Sequence, residues 1–245
     1  MCLHTCMIRH QQHPLDPCYE RLIRAAEHLT EFEVLLDEVR RNEAYEAGIE
    51  FDPLPPYCIK KVNLPGQTFF DMRFGVLVGE IFYNLRSSLD YLIYELARHD
   101  SGRAQMDTQF PICDCARDFS NQKKRRLKGV SDEHIAAIER LQPFNGCAWT
   151  GQFRDHSNAD KHRELVPING KSTITVHSGL EKDLDSCRGY ERKVAHPELG
   201  KPEVPLKVHV RLAVAFPGGG EISDIVQNLN AEIKSVLDSF RSDFI

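Results

Sequence analysis

Phe74-Gly-Val-Leu-Val-Gly-Glu-Ile-Phe-Tyr-Asn-Leu-Arg-Ser-Ser-Leu-Asp-Tyr-Leu-Ile-Tyr-Glu-Leu-Ala97 decides how this chain is read. Phe74, Leu77, Val78, Ile81, Leu85, Leu89, Leu92 and Leu96 recur at intervals of three and four, the period of one helical face. The spacing predicts a helix from about Asp71 to His99. Glu80, Arg86, Asp90 and Glu95 fall inside it, and such a density of charge is incompatible with a bilayer span.

Upstream, Asp16-Pro17 predicts a helix start, with Asp as N-cap and Pro at the first helical position. Its apolar stripe runs from Leu22 through Phe32 to Val39 and ends near Gly48. Phe51-Asp-Pro-Leu-Pro-Pro56 reads as a stiff linker, and Tyr57 to Leu64 as a strand. Downstream, residues 100–120 read as loop, followed by short helices at Ser131–Leu141 and Ser157–Leu165. Lys171–His177 reads as a strand. Leu206, Val208, Val210, Leu212, Val214 and Phe216 alternate, which predicts a strand with one buried face. Gly218-Gly219-Gly220 then turns the chain into a final amphipathic helix over Ile222–Phe240. The expected fold class is α+β: a long antiparallel helical pair plus shorter helices, packed with a small, mainly antiparallel sheet and a C-terminal helix.

Composition narrows the function classes. The 245 residues hold 31 Lys+Arg against 36 Asp+Glu, and net charge −5 excludes a globally basic nucleic-acid binder. Cys2, His4, Cys6, His10 and His13 fit no standard zinc spacing. Residues 1–15 are therefore expected to be a disordered Cys/His-rich extension, and 16–245 a single α+β domain. Met1 to Cys6 lacks the apolar stretch of a signal peptide, so a cytoplasmic location with no membrane partner is expected. There is no Walker loop, dinucleotide glycine fingerprint, nucleophile elbow or H-E-x-x-H, and neither a metal nor a cofactor is expected.

Polar residues on the central helix carry more than packing. On a helical wheel Gly75, Gly79, Arg86 and Asp90 share one flank, and Asn84, Ser88, Tyr91 and Glu95 share the other. Two glycines at i, i+4 fit close approach of an intramolecular helix, a ligand or a second copy, so a homodimer through the long helices stays open. Glu33 lies in the apolar stripe of the first helix and needs a partner, for which Arg86 is the candidate. Asn158-Ala-Asp-Lys-His-Arg163 packs an amide, a carboxylate, two cations and an imidazole into a short span. His162 can serve as acid or base, Lys161 and Arg163 suit phosphate, and Asn158 as an N-cap would add anion affinity. The same box also reads as a solvated charged turn. Lys123–Lys128 is either a phosphate contact or a solvated face.

Tyr83-Asn-Leu-Arg-Ser-Ser-Leu-Asp-Tyr91 resembles the H-N-L-R-S-x-L-D-H stretch of a family of uncharacterised bacterial and phage proteins. Thr108-Gln-Phe-Pro-Ile112, Leu141-Gln-Pro-Phe144 and Asn158–Arg163 are similar to its further blocks, about a third of the chain in all. The helical block is more distantly similar to the Arg-x4-His motif of HEPN-type proteins, many of them metal-independent endoribonucleases in toxin–antitoxin and phage-defence systems. That resemblance implies an RNA-acting protein in which Arg86 binds phosphate, with two protomers building the site. Here Tyr91 stands where the family has His, and a phenol with a pKa of about 10 is a poor base at neutral pH. The expected catalytic set is Arg86, Asp90, Tyr91 and His162; the expected binding set is Asn84, Asn158, Asp160, Lys161 and Arg163. The expected ligand is RNA or another phosphate-bearing molecule. The competing expectation is a non-catalytic binding or scaffold protein whose polar motifs are structural.

Overall fold

The computed structural model describes residues 13–42, 48–51, 59–63, 72–159, 169–178, 190–194, 206–216 and 220–244. At 158–159 and in the strands before residue 213 the backbone alone is described. The elements in chain order are α1 (Asp16–Asn42), β1 (Gly48–Phe51), β2 (Ile59–Asn63), α2 (Met72–Ser101), α3 (Ala116–Arg126), α4 (Asp132–Arg140), α5 (Ala148–Ala159), β3 (Asn169–Ser178), β4 (Tyr190–Val194), β5 (Leu206–Ala215) and α6 (Ile222–Phe240). Short 3-10 turns follow at Pro143–Asn145 and Arg241–Phe244. They fall into two compact units. One draws on Met1–Thr30, Val76–Val166 and Asp224–Ile245, the other on Glu31–Gly75 and Pro167–Ser223.

The first unit is helical and α2 is its axis. Ile81, Phe82, Leu85, Leu89, Leu92 and Ile93 are each at most 1% exposed. Adjacent positions such as 81/82 and 92/93 are both buried, so α2 is covered over two faces, where a helix lying on a sheet would hide one stripe. Its neighbours are other helices. Ser88 donates a buried hydrogen bond of 3.0 Å to the Cys18 carbonyl of α1, and Phe82 stacks on Phe153 of α5 at 6.0 Å. Asn230 of α6 donates to the Leu22 carbonyl at 3.1 Å. Truncating one of these buried leucines to Ala costs about 2–5 kcal/mol, because the removed side chain leaves a cavity.

This arrangement corrects the expected α+β fold. The residues described in full are 78% helix in six helices, with one short strand and no sheet. Strand backbone belongs to the second unit. There β1 pairs antiparallel with β2, and β5 pairs antiparallel with β3 on one side and β4 on the other. Phe32 and Phe74 meet edge to face at 5.2 Å in the same unit.

Glu33 also needs correcting. It accepts a hydrogen bond from Ser223 of α6, and Arg86 is not its partner. Residues 157–159 of the helix expected at Ser157–Leu165 form the last turn of α5 and the rest of it lies outside the described residues, while α3 begins inside the expected loop. Ser131 caps α4 as expected, its hydroxyl accepting the His134 N–H at 3.3 Å. Gly75 and Gly79 are buried. Cys2, His4, Cys6 and His10 lie outside the described residues, whereas His13 donates through Nε2 to the Arg241 carbonyl at 3.2 Å.

Candidate functional site

Residues 109–113 join α2 to α3 outside any described helix or strand, so their peptide groups need partners from side chains. Phe110 and Pro111 are buried, and the partners converge on this stretch. Asp90 Oδ1 accepts the Phe110 N–H at 2.9 Å, while Arg86 Nη2 donates to the Phe110 carbonyl. Arg86 and Asp90 are also paired to each other, Nη2 to Oδ1 at 3.2 Å. Gln142 completes the clamp. Its Oε1 accepts the Cys113 N–H at 2.9 Å, and its Nε2 donates to the carbonyls of Pro111 at 2.9 Å and Ile138 at 3.1 Å. Gln109 N–H bonds the Arg126 carbonyl at the end of α3, at 3.2 Å.

Over this clamp opens a polar cleft of about 480 Å³. Arg86 lines it from α2, Asp118, Asn121, Gln122 and Arg126 from α3, and Arg154 and Ser157 from α5. Asp114 pairs with Arg154 at 2.7 Å across the cleft wall. That hydrogen bond, with a second donated to Asp155, holds the Arg154 guanidinium still more firmly protonated than usual. Arg126 makes no ion pair among the described residues, and Nη1 of Arg86 has no hydrogen bond there. The basic run divides: Lys123, Lys124, Arg125 and Lys128 are exposed, and Arg126 is turned half inward.

The expected site residues are thus only partly brought together. Arg86 and Asp90 meet, but around Phe110. Tyr91 lies on another face of α2, where its hydroxyl accepts a hydrogen bond from Arg21 Nη2 at 3.0 Å and its ring lies 5.3 Å from the same guanidinium. Asn84 accepts from Arg21 Nη1 at 3.1 Å and donates to the Glu80 carbonyl at 2.8 Å, so it ties α1 to α2. The backbone of Asn158 lies in the last turn of α5. Its predecessor Ser157 lines the cleft with Arg86. Asp160, Lys161, His162 and Arg163 lie outside the described residues.

Sequence reasoning missed Gln142 and the backbone of Phe110. Both stood in quoted blocks, Leu141–Phe144 and Thr108–Ile112, without a role. Nothing in the sequence marked Gln142: its full burial, which obliges the amide to be hydrogen-bonded, is visible only in the structure. Burial pushes the Cys113 and Cys147 thiols up from the ordinary thiol range. Among the described residues no group of three or more His, Cys, Asp or Glu is placed to hold a metal ion. No described helix is long and apolar enough to cross a membrane. No family model, curated protein or solved structure matches the chain.

Proposed function

We propose that this chain is a non-catalytic binding protein whose polar cleft takes a phosphate-bearing ligand, with RNA the class its charge pattern suits. The observation that carries the reading is the commitment of Arg86. Its Nε and Nη2 are spent on Asp90 and on the Phe110 carbonyl, as a structural clamp requires, and only Nη1 is left to face an anion. Arg126, which makes no ion pair among the described residues, supplies a further guanidinium whose forked donors match phosphate oxygens, and Arg154, paired with Asp114 and Asp155, adds positive charge to the lining. Exposed Lys123, Lys124, Arg125 and Lys128 extend the positive field along α3, so a polymer of phosphates suits the cleft better than a single small anion.

The ribonuclease reading is favoured by one observation. Arg86 and Ser157, the residue preceding the 158–163 box, line the same cleft, so His162 follows closely in the chain. Incubating the protein with a mixed RNA pool at several salt concentrations distinguishes the two. Retention without cleavage is expected, with the log–log salt slope falling by about 0.7 for each of Arg126→Ala and Arg154→Ala. Cleavage by the wild type that disappears in His162→Ala overturns the non-catalytic reading. Absence of both binding and cleavage overturns the RNA assignment.

A further inference from the structure

A second cavity is lined by Asp90, with different chemistry from the polar cleft. It encloses about 490 Å³, within the range of about 300–1,000 Å³ common to small-molecule sites. Pro17 and Cys18 of α1 form its floor, and Tyr91 and Tyr94 of α2 its walls. Among the described residues its charged lining groups are Asp90 and Glu95, with no lysine or arginine. Tyr91 and Tyr94 remain 38% and 36% exposed, so ring surface is available from the opening.

We propose that this cavity binds a small organic cation, an alkylated ammonium group held between tyrosine faces and the Glu95 carboxylate. The preference of tyrosine π-faces for positive charge is already visible one turn along α1. There the Arg21 guanidinium lies 5.3 Å from the centre of the Tyr91 ring and 5.9 Å from that of Tyr83. Glu95 is the electrostatic anchor. Its Oε2 pairs with Arg98 at 2.5 Å, its side chain is only 14% exposed, and its Oε1 accepts no hydrogen bond among the described residues. Asp90, by contrast, has both oxygens engaged by Arg86 and Phe110. The negative field reaches the floor: burial pushes the Cys18 thiol up to about 12, and the charge of Glu95 adds to that rise. An ammonium with apolar substituents matches all three features, because its methyl groups cover the Pro17–Cys18 floor while its charge meets rings and carboxylate. A neutral ligand of the same shape gains only the floor.

The test is titration of the full chain with choline and with its neutral isostere 3,3-dimethylbutan-1-ol, followed by calorimetry and tyrosine ring resonances. Choline is expected to bind about tenfold tighter than the isostere. Tyr94→Leu, which keeps apolar bulk at a partly exposed position, is expected to bring that ratio close to one. Glu95→Gln is expected to weaken choline and leave the isostere unchanged. Equal binding of the two compounds by the wild type, no saturable binding of choline, or a preference that survives both substitutions overturns the assignment. None of these outcomes depends on the polar cleft, so the cavity and the proposed RNA site fail or stand separately.

Discussion

Helix α2 anchors a later stretch of chain at two places, and the chemistry differs. At its middle, Arg86 and Asp90 grip both polar groups of the Phe110 peptide. At its end, Asp100 accepts from the Ser131 N–H at 2.7 Å, from His134 Nδ1 at 2.7 Å and from His99 Nδ1 at 3.2 Å. The first anchor uses a guanidinium and a carboxylate and closes on backbone. The second gathers imidazoles on one carboxylate, with His134 reaching on to Asp243 in the C-terminal turn at 3.3 Å. The middle anchor is therefore probed by truncation and the end anchor by acid. The comparison also explains why Arg86 and Asp90 read as a site. A segment outside any helix or strand must borrow charged and amide side chains, and these are the residue types catalysis uses.

The hardest blow to the middle anchor falls on Gln142. It is fully buried and makes three hydrogen bonds, so Gln142→Ala leaves three backbone groups unpaired as well as a cavity. A loss of about 3 kcal/mol is expected, measured as a lower urea midpoint with an unchanged slope. A loss below about 1 kcal/mol would mean that water replaces the amide, and the clamp reading would fail. Next comes the pair itself. Arg86→Ala and Asp90→Ala should each cost about 2 kcal/mol, since each abandons a partly buried charge. Because both act on Phe110, the double variant should cost about 1 kcal/mol less than the sum. Full additivity would show that they do not work as one clamp.

Legibility follows the same division. The Phe74–Ala97 period located α2 to within two residues at either end, because a buried helix repeats its apolar residues densely. Asp90 and Arg86 were legible as a pair from their i, i+4 spacing. Their real partner was not, since a backbone group carries no letter in the sequence. Fold class misread because alternation along 206–216 reports a strand but says nothing of whether helices lie against it. The start of α5 was hidden for a local reason. Cys147-Ala-Trp-Thr150 carries no strong helix signal, and the turn instead begins where the Thr150 hydroxyl donates to the Cys147 and Leu141 carbonyls at 2.7 and 2.9 Å.

The end anchor is tested with acid. Burial alone raises the Asp100 carboxyl, but hydrogen bonds from Ser131, His134 and His99 outweigh it and hold the group below its ordinary range. A carboxyl depressed in the folded state stabilises fully above its unfolded pKa of about 3.9, and that contribution disappears as pH falls through the folded value. Stability should therefore decline below about pH 4 more steeply in the wild type than in Asp100→Asn. Thermal melts across pH 2–6 at about 0.1 M salt read the difference. Parallel acid limbs would show that Asp100 draws no net stabilisation from its three donors.

The smallest effect lies on α5, at the edge of the middle anchor, and its sign identifies it. His156 is half-buried with its ring 5.8 Å from Phe82, and burial lowers its pKa below the ordinary value, against a weaker opposing pull from Asp155. The unfolded chain consequently holds this proton more tightly than the folded one. Stability contributed by the neutral ring is complete above the unfolded pKa of about 6.5 and is lost as pH falls below it, down to the folded value. His156→Phe keeps an aromatic ring beside Phe82 and has no proton to bind, so its melting temperature should stay level between pH 7 and 5 while that of the wild type falls. Asp100 is far above its own titration range in that window, so the two acid responses separate by pH alone. A wild-type curve that stays flat from pH 7 to 5 would place the His156 ring in contact with water in the folded protein, and the α2–α5 packing around Phe82 and Phe153 would then be looser than their 6.0 Å stacking implies.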